Sequence, residues 1–186
     1  MSRLVFITHP ETAPIPGLRA EIWPFSSKGC AAAARLWKNT FWERIDAVYS
    51  STEGKASVVG SIVSEKFGLS FEQIAELGEI DRSSTPIVPL DEYLKRSKAF
   101  YADPDTSMRG WETARQGTRR VDAAVRRIME RHPSGSVAII GHGMTGTLLR
   151  CALQNKEPSF AEDPKKCGCI MEIDWEARSV APWSVY

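Results

Sequence analysis

The sequence predicts an α/β fold, a three-layer α/β/α sandwich built on a mostly parallel central sheet. Short apolar runs alternate along the chain with longer segments of helical period. Strands separated by helices form sheets covered on both faces. The runs Leu4-Val5-Phe6-Ile7 and Val137-Ala138-Ile139-Ile140 are apolar throughout instead of alternating with polar residues, as strands buried on both sides are. No repeat, low-complexity segment or long linker interrupts the 186 residues, so the pattern is assigned to one domain, 1–186.

Residues 4–7 are the first expected strand. Residues 26–42 read as a helix with Ser26 or Ser27 at its N-cap. A second strand covers 46–50. Residues 54–67 form a helix, because Ala56, Val59, Val63 and Phe67 recur on one face at steps of three and four, and Gly68 stops it. Residues 70–77 are expected as a short strand. Residues 83–89 are expected as loop, since Pro86 and Pro89 lack N–H donors and bias the chain to extended shapes. Helices follow over 91–101 and 111–131, the second with the apolar stripe Val121, Ala124, Val125, Ile128 and Met129. Pro133-Ser134-Gly135 breaks that helix. A buried strand over 137–140, a helix over 143–153 and closing strands over 170–175 and 180–185 complete the reading.

Composition limits function. A hydrophobic share of 42% and a net charge of +1 describe an ordinary globular chain with no overall field toward nucleic acid or a membrane. Neither is an expected partner, and attraction for an anion must arise locally. The first apolar run is too short for a signal-peptide core, and no stretch reaches the ~20 apolar residues of a membrane span, so a cytoplasmic location is expected. Cys30, Cys151, Cys167 and Cys169 read as reduced structural thiols. Cys167-Gly168-Cys169 lacks the second ligand pair of a structural zinc site, and neither a metal nor a cofactor is expected.

Ligands of open α/β sheets bind beyond the carboxyl ends of the strands. Three apolar strands end there in Thr8-His9-Pro10-Glu11-Thr12, Ser50-Ser51-Thr52-Glu53 and Gly141-His142-Gly143. Two of only three histidines thus follow directly on strands, whereas His132 sits at a helix end, where a cation suits the dipole. Gly143 and Gly146 open a helix whose N-terminus favours a close anion. Lys55, at the start of another helix, reads either as a site cation or as a solvated surface lysine. Glu79 or Asp81 offers a proton to a leaving oxygen if its pKa is raised, and Arg82 and Arg109 offer planar clamps for phosphate oxygens.

This ordered set resembles the histidine phosphatase superfamily, the phosphoglycerate-mutase-like proteins. The family's Arg-His-Gly-Glu-Thr stands here as Thr8-His9-Pro10-Glu11-Thr12. Phe25 to Gly29 leading into Ala31–Leu36 resembles its helix entry, Val48-Tyr49-Ser50-Ser51 leading to Lys55-Ala56 its second motif, Leu77-Gly78-Glu79 its loop glutamate, and Val137 to Gly143 its second histidine. Thr8 and Lys55 replace two arginines of the pattern. The segments around Arg82 and Arg109 are similar to a bacterial branch with a His-Pro-Glu first motif.

The resemblance implies a metal-independent phosphatase. His9 would accept the phosphoryl group as phosphohistidine, Glu79 would serve as acid and base, and His142 would stand beside His9. Thr8, Lys55, Arg82, Arg109 and Gly143 would hold the phosphate, with Arg82 or Arg109 replacing the lost charge. Substrates would be small phosphorylated molecules or a phosphoprotein. A chain without room for large capping insertions suits hydrolysis better than a mutase reaction, which must keep water out. Two other readings stay open: a degenerate binder of phosphoryl ligands, and a phosphatase acting on phosphohistidine proteins. Oligomeric state is not encoded in these patterns.

Overall fold

The computed structural model describes residues 2–186. Its seven strands are β1 Arg3–Thr8, β2 Ala47–Ser50, β3 Ser70–Gln73, β4 Ser136–Gly141, β5 Cys169–Asp174, β6 Ser179–Val180 and β7 Ser184–Val185. Its helices are α1 Ser27–Leu36, α2 Gly54–Phe67, α3 Leu90–Ala102, α4 Ala114–Glu130 and α5 Gly143–Leu153. The sheet order is β3-β2-β4-β1-β5-β6, with β7 also on β5. The first four strands are parallel, and β5 returns antiparallel beside β1. The sandwich expected from the sequence is therefore present, with an antiparallel edge.

Side-chain alternation divides two cores. Leu4, Phe6, Tyr49, Val137 and Ile139 meet Phe100 of α3, Val121, Val125 and Ile128 of α4, and Leu148 and Leu149 of α5. Val5, Ile7, Val48, Ala138 and Ile140 face the other way, onto Ala32 and Leu36 of α1 and Ala56, Val59 and Val63 of α2. Burying each larger aliphatic chain stabilises the fold by about 1.5–3 kcal/mol, which explains why the two central strands carry no polar positions between Val137 and Ile140 or between Leu4 and Ile7.

Several boundaries differ from expectation. The first helix ends at Leu36, not at 42: Asn39 accepts from the Phe41 N–H and caps a separate 3-10 turn, Thr40–Arg44. The strand expected over 70–77 stops at Gln73 and is followed by a 3-10 turn, Ala75–Leu77. α4 starts at Ala114 because Thr113 and Gln116 form a reciprocal capping box. The last expected strand is split into β6 and β7 around Pro182, which has no N–H to donate to a ladder. Ser26 is the N-cap of α1, and Gly68 ends α2 in the left-handed region at φ 65°. Among the described residues no helix is long and apolar enough to cross a membrane.

Candidate active site

β4 lies between β1 and β2, and the ladder continues past their ends. The His9 N–H donates to Gly141 O at 3.0 Å, and the Ser51 N–H donates to Ile140 O at 3.1 Å. This register brings residues 9, 51 and 142 to one sheet edge. The imidazoles of His9 and His142 stand edge to face with centroids 5.3 Å apart. His142 is fully buried and His9 nearly so.

The His9 ring is fixed in one tautomer. Its Nδ1 lies 2.7 Å from the Pro10 carbonyl, which only accepts, so Nδ1 carries the hydrogen and Nε2 keeps its lone pair. Burial, followed by His142 and Lys55, lowers its pKa to about 3, so the ring is neutral near neutrality. Burial likewise lowers the His142 pKa, opposed by Glu79 and helped by Lys55, Arg82 and Arg120. His142 Nε2 meets Ser51 Oγ at 2.7 Å and Glu53 Oε1 at 3.3 Å, while its Nδ1 is buried with no hydrogen-bond partner among the described residues.

Glu79 sits at the N-terminus of α5. Its carboxylate accepts from the N–H groups of Met144 at 3.3 Å and Thr145 at 3.1 Å, and from the Ile80 N–H at 3.0 Å. The Thr145 hydroxyl lies 3.0 Å from Oε1. Burial favours the neutral acid, but Arg82, the Ile80 N–H and Lys55, with His142 once it is protonated at low pH, outweigh it and hold the carboxyl well below the usual carboxylate range. The helix N-terminus thus does hold an anion, as expected, but that anion is Glu79 itself.

The cations around this edge are Lys55 and Arg82. Lys55 is buried, not solvated, and its Nζ pairs with Glu53 Oε2 at 3.1 Å. Arg82 lies over the rings of Tyr93 at 5.1 Å and Trp111 at 5.7 Å, and its charge acts on both Glu79 and His142.

The sequence profile of the histidine phosphatase superfamily, branch 1, matches residues 19–182. The chain belongs to this superfamily. The matched stretch holds Lys55, Glu79, Arg82 and His142, and His9 joins them through the β1–β4 register. No curated protein matches the sequence. Among solved structures, the chain is similar to YhfR of Bacillus stearothermophilus, with 24% identity, 100% of this chain and 95% of that one covered, and a TM-score of 0.76. It is similar to a phosphoserine phosphatase of Entamoeba histolytica, crystallised with 3-phosphoglyceric acid, at 14% identity, 100% and 98% coverage and TM-score 0.81. A mycobacterial glucosyl-3-phosphoglycerate phosphatase crystallised with VO3 gives 17%, 98% and 96%, and 0.74. These likenesses show the fold, and membership of the superfamily supports a phosphatase-type enzyme.

Within this histidine phosphatase domain, several expected residues stand elsewhere than their proposed roles require. The Thr8 hydroxyl accepts from the Cys169 N–H at 2.9 Å and faces Cys169 O at 3.4 Å. It is buried against β5, so its expected contact with phosphate does not fit this geometry. Arg109 lies in an exposed turn at φ 53° and is not among the leading charges on His9, Glu79 or His142. Of the two candidate replacements for the lost charge, the structure brings only Arg82 to the site. Gly146 serves packing instead of anion approach: a Cβ there would meet Phe6 at 2.6 Å and Trp183 at 2.9 Å. Gly143 does have room, its nearest neighbour being Pro164 at 3.9 Å. Asp81 accepts from the Ser83 N–H and its carboxyl is pulled down by Ser83, which leaves Glu79 as the one of these two carboxylates that reaches the site. All four cysteines are free. His132 meets the Tyr49 hydroxyl at 2.9 Å, away from the two paired histidines, consistent with a structural part.

Four contributors were given no role of their own in the sequence reading, although Ser51 and Glu53 stand in one of its three strand-end motifs: Ser51, Glu53, Glu112 and Arg120. Arg120 of α4 donates to the carbonyls of Glu76 at 2.6 Å and Gly78 at 3.0 Å, reaches Glu79 O at 3.4 Å, and forms a two-point pair with Glu112 at 2.7 and 2.6 Å. One guanidinium therefore fixes the loop that carries Glu79. Arg120→Ala is expected to lower the unfolding free energy by about 2 kcal/mol, because partly buried charge-assisted bonds are lost and Glu112 is left unpaired. Urea unfolding checks this; an unchanged midpoint would show that the loop does not depend on the clamp.

Proposed function

We propose that the protein is a phosphomonoesterase that works through a phosphohistidine on His9. The reading is supported above all by the pairing of His9, neutral and with Nε2 unengaged, with a second buried imidazole 5.3 Å away. In this scheme His9 Nε2 attacks phosphorus in line, the bond to the ester oxygen breaks, and Glu79 delivers a proton to the departing alkoxide. Water then attacks the phosphohistidine, Glu79 takes its proton, and phosphate leaves. Lys55 and Arg82 offset charge on the equatorial oxygens. A Ser51 hydroxyl donating to Nε2 of His142 leaves that ring's hydrogen on Nδ1, where a phosphoryl oxygen would supply the missing acceptor.

The depressed pKa of Glu79 gives the pH dependence a definite sign. Free protein holds the carboxylate, so the acid proton must arrive with the substrate. A phosphomonoester monoanion carries one and loses it near about pH 6. kcat/KM is therefore expected to fall roughly tenfold per pH unit above about pH 6, without an acid limb near the ordinary histidine pKa, since burial keeps both rings neutral. The test is release of inorganic phosphate from an alkyl phosphate across acid to alkaline pH, with vanadate as inhibitor. Activity that rises with pH would contradict this assignment of the proton.

One observation favours a second reading, a non-catalytic binder of phosphoryl ligands: Thr8, at the place of the arginine before the nucleophilic histidine, is turned to Cys169. Equal background from wild type and His9→Ala in the same assay, with phosphate still bound, would select it.

A further inference from the structure

Glu53 occupies the N-cap position of α2 without capping it. A side chain there ordinarily accepts from the helix's own first N–H groups. Its carboxylate is instead turned into the site. Oε1 accepts from the Glu79 N–H at 2.7 Å and lies 3.3 Å from His142 Nε2, while Oε2 is 3.1 Å from Lys55 Nζ. Among the described residues, the other Lys55 acceptor is the Ala20 carbonyl, at a long 3.4 Å. The Lys55 side chain is 7% exposed, and a lysine so buried tends to shed its proton unless an anion stays close. An arginine at this place would keep its charge unaided, since its guanidinium does not titrate in proteins.

We propose that Glu53 is a positioning residue that keeps Lys55 charged and fixed beside the two histidines, so that the Glu53–Lys55 pair does the work of one phosphate-binding arginine. The proposal rests on the phosphate site described above. The other titratable groups acting with Lys55 are His9 and His142 at the strand ends, Glu79 before α5, Glu21 and Cys167. Of these, Glu79 is anionic but is tied to α5, so Glu53 is the carboxylate that bonds the ammonium directly. The same carboxylate joins the Glu79 loop to the start of α2, holding acid and cation at a set separation.

The test is a set of isosteric or charge-conserving variants, Glu53→Gln, Lys55→Arg and the double variant Glu53→Gln/Lys55→Arg, in the whole protein. Titration of the Lys55 ε-carbon by NMR in the ligand-free protein should show the ammonium losing its proton at lower pH in Glu53→Gln than in wild type. Vanadate affinity of Glu53→Gln should fall progressively as pH rises above neutrality, by about tenfold once the ammonium has lost its proton, and the double variant should recover it and lose that alkaline decline. A Lys55 titration unchanged by Glu53→Gln, or a double variant no better than Glu53→Gln, overturns the proposal. A Lys55 shift between wild type and Glu53→Gln, where the wild type neither binds vanadate nor hydrolyses esters, would leave the Glu53 role standing and remove the phosphatase reading instead.

Discussion

Replacing His9 with alanine is expected to lower kcat for phosphomonoester hydrolysis by about 10⁴-fold or more, the scale on which nucleophile removal acts in covalent hydrolases. Among the described residues, no second group at the sheet edge is poised to take its place. His142 Nε2 is occupied by the Ser51 hydroxyl and its Nδ1 carries the ring hydrogen in this scheme, while burial raises the Cys167 and Cys169 thiols and keeps them protonated. The fold should survive the change, because His9 makes one side-chain bond, to the adjacent Pro10 carbonyl, while the backbone of this turn is held independently by Gly141 O and the Gly168 N–H. Steady-state rates checked beside an unchanged thermal midpoint separate loss of the nucleophile from loss of structure.

Glu79→Gln should lower kcat for alkyl phosphates by about 10²–10⁴-fold, the usual reach of a positioned general acid. The loss should be much smaller for p-nitrophenyl phosphate, whose leaving group departs without a proton. The amide also puts an NH2 group against the N–H donors of Met144 and Thr145, so some loss of stability accompanies the change. Comparing the two substrates on one protein sample cancels that effect. Equal losses on both substrates would mean that Glu79 acts by holding α5 and not by moving a proton.

The parts of the molecule legible in the sequence were those set by local period and by strand ends. α2 and α5 fall where the apolar spacing, Gly68 and the Gly141-His142-Gly143 turn put them. The helix over 26–42 was overrun because Phe41 and Trp42 extend the apolar spacing, and only the Asn39 side chain reveals the break. The start of α4 was written in the chain as Thr113-Ala114-Arg115-Gln116, a capping box. In the site, His9 and His142 were visible because two buried runs end in the same residue type. Glu53 carried a weaker signal, a carboxylate two residues before a lysine at a strand-to-helix turn, and its neighbours Glu79 and His142 lie 26 and 89 positions on. Arg120 carried none: it is one of several arginines on a helix, and its partners Glu76, Gly78 and Glu79 meet it only through packing of α4 on the 75–77 turn. Thr8 misled because the strand end was right, but the hydroxyl answers to β5, a pairing that no local pattern announces.

The most direct measurement is rapid quenching of the protein during turnover of a phosphomonoester into alkali, which preserves phosphohistidine, followed by peptide mass spectrometry. A single phosphoryl group on the peptide bearing His9, absent from His9→Ala, is the expected result. Steady hydrolysis with no phosphoryl group on that peptide, or with the group carried by another residue, would contradict the assignment of His9 as nucleophile.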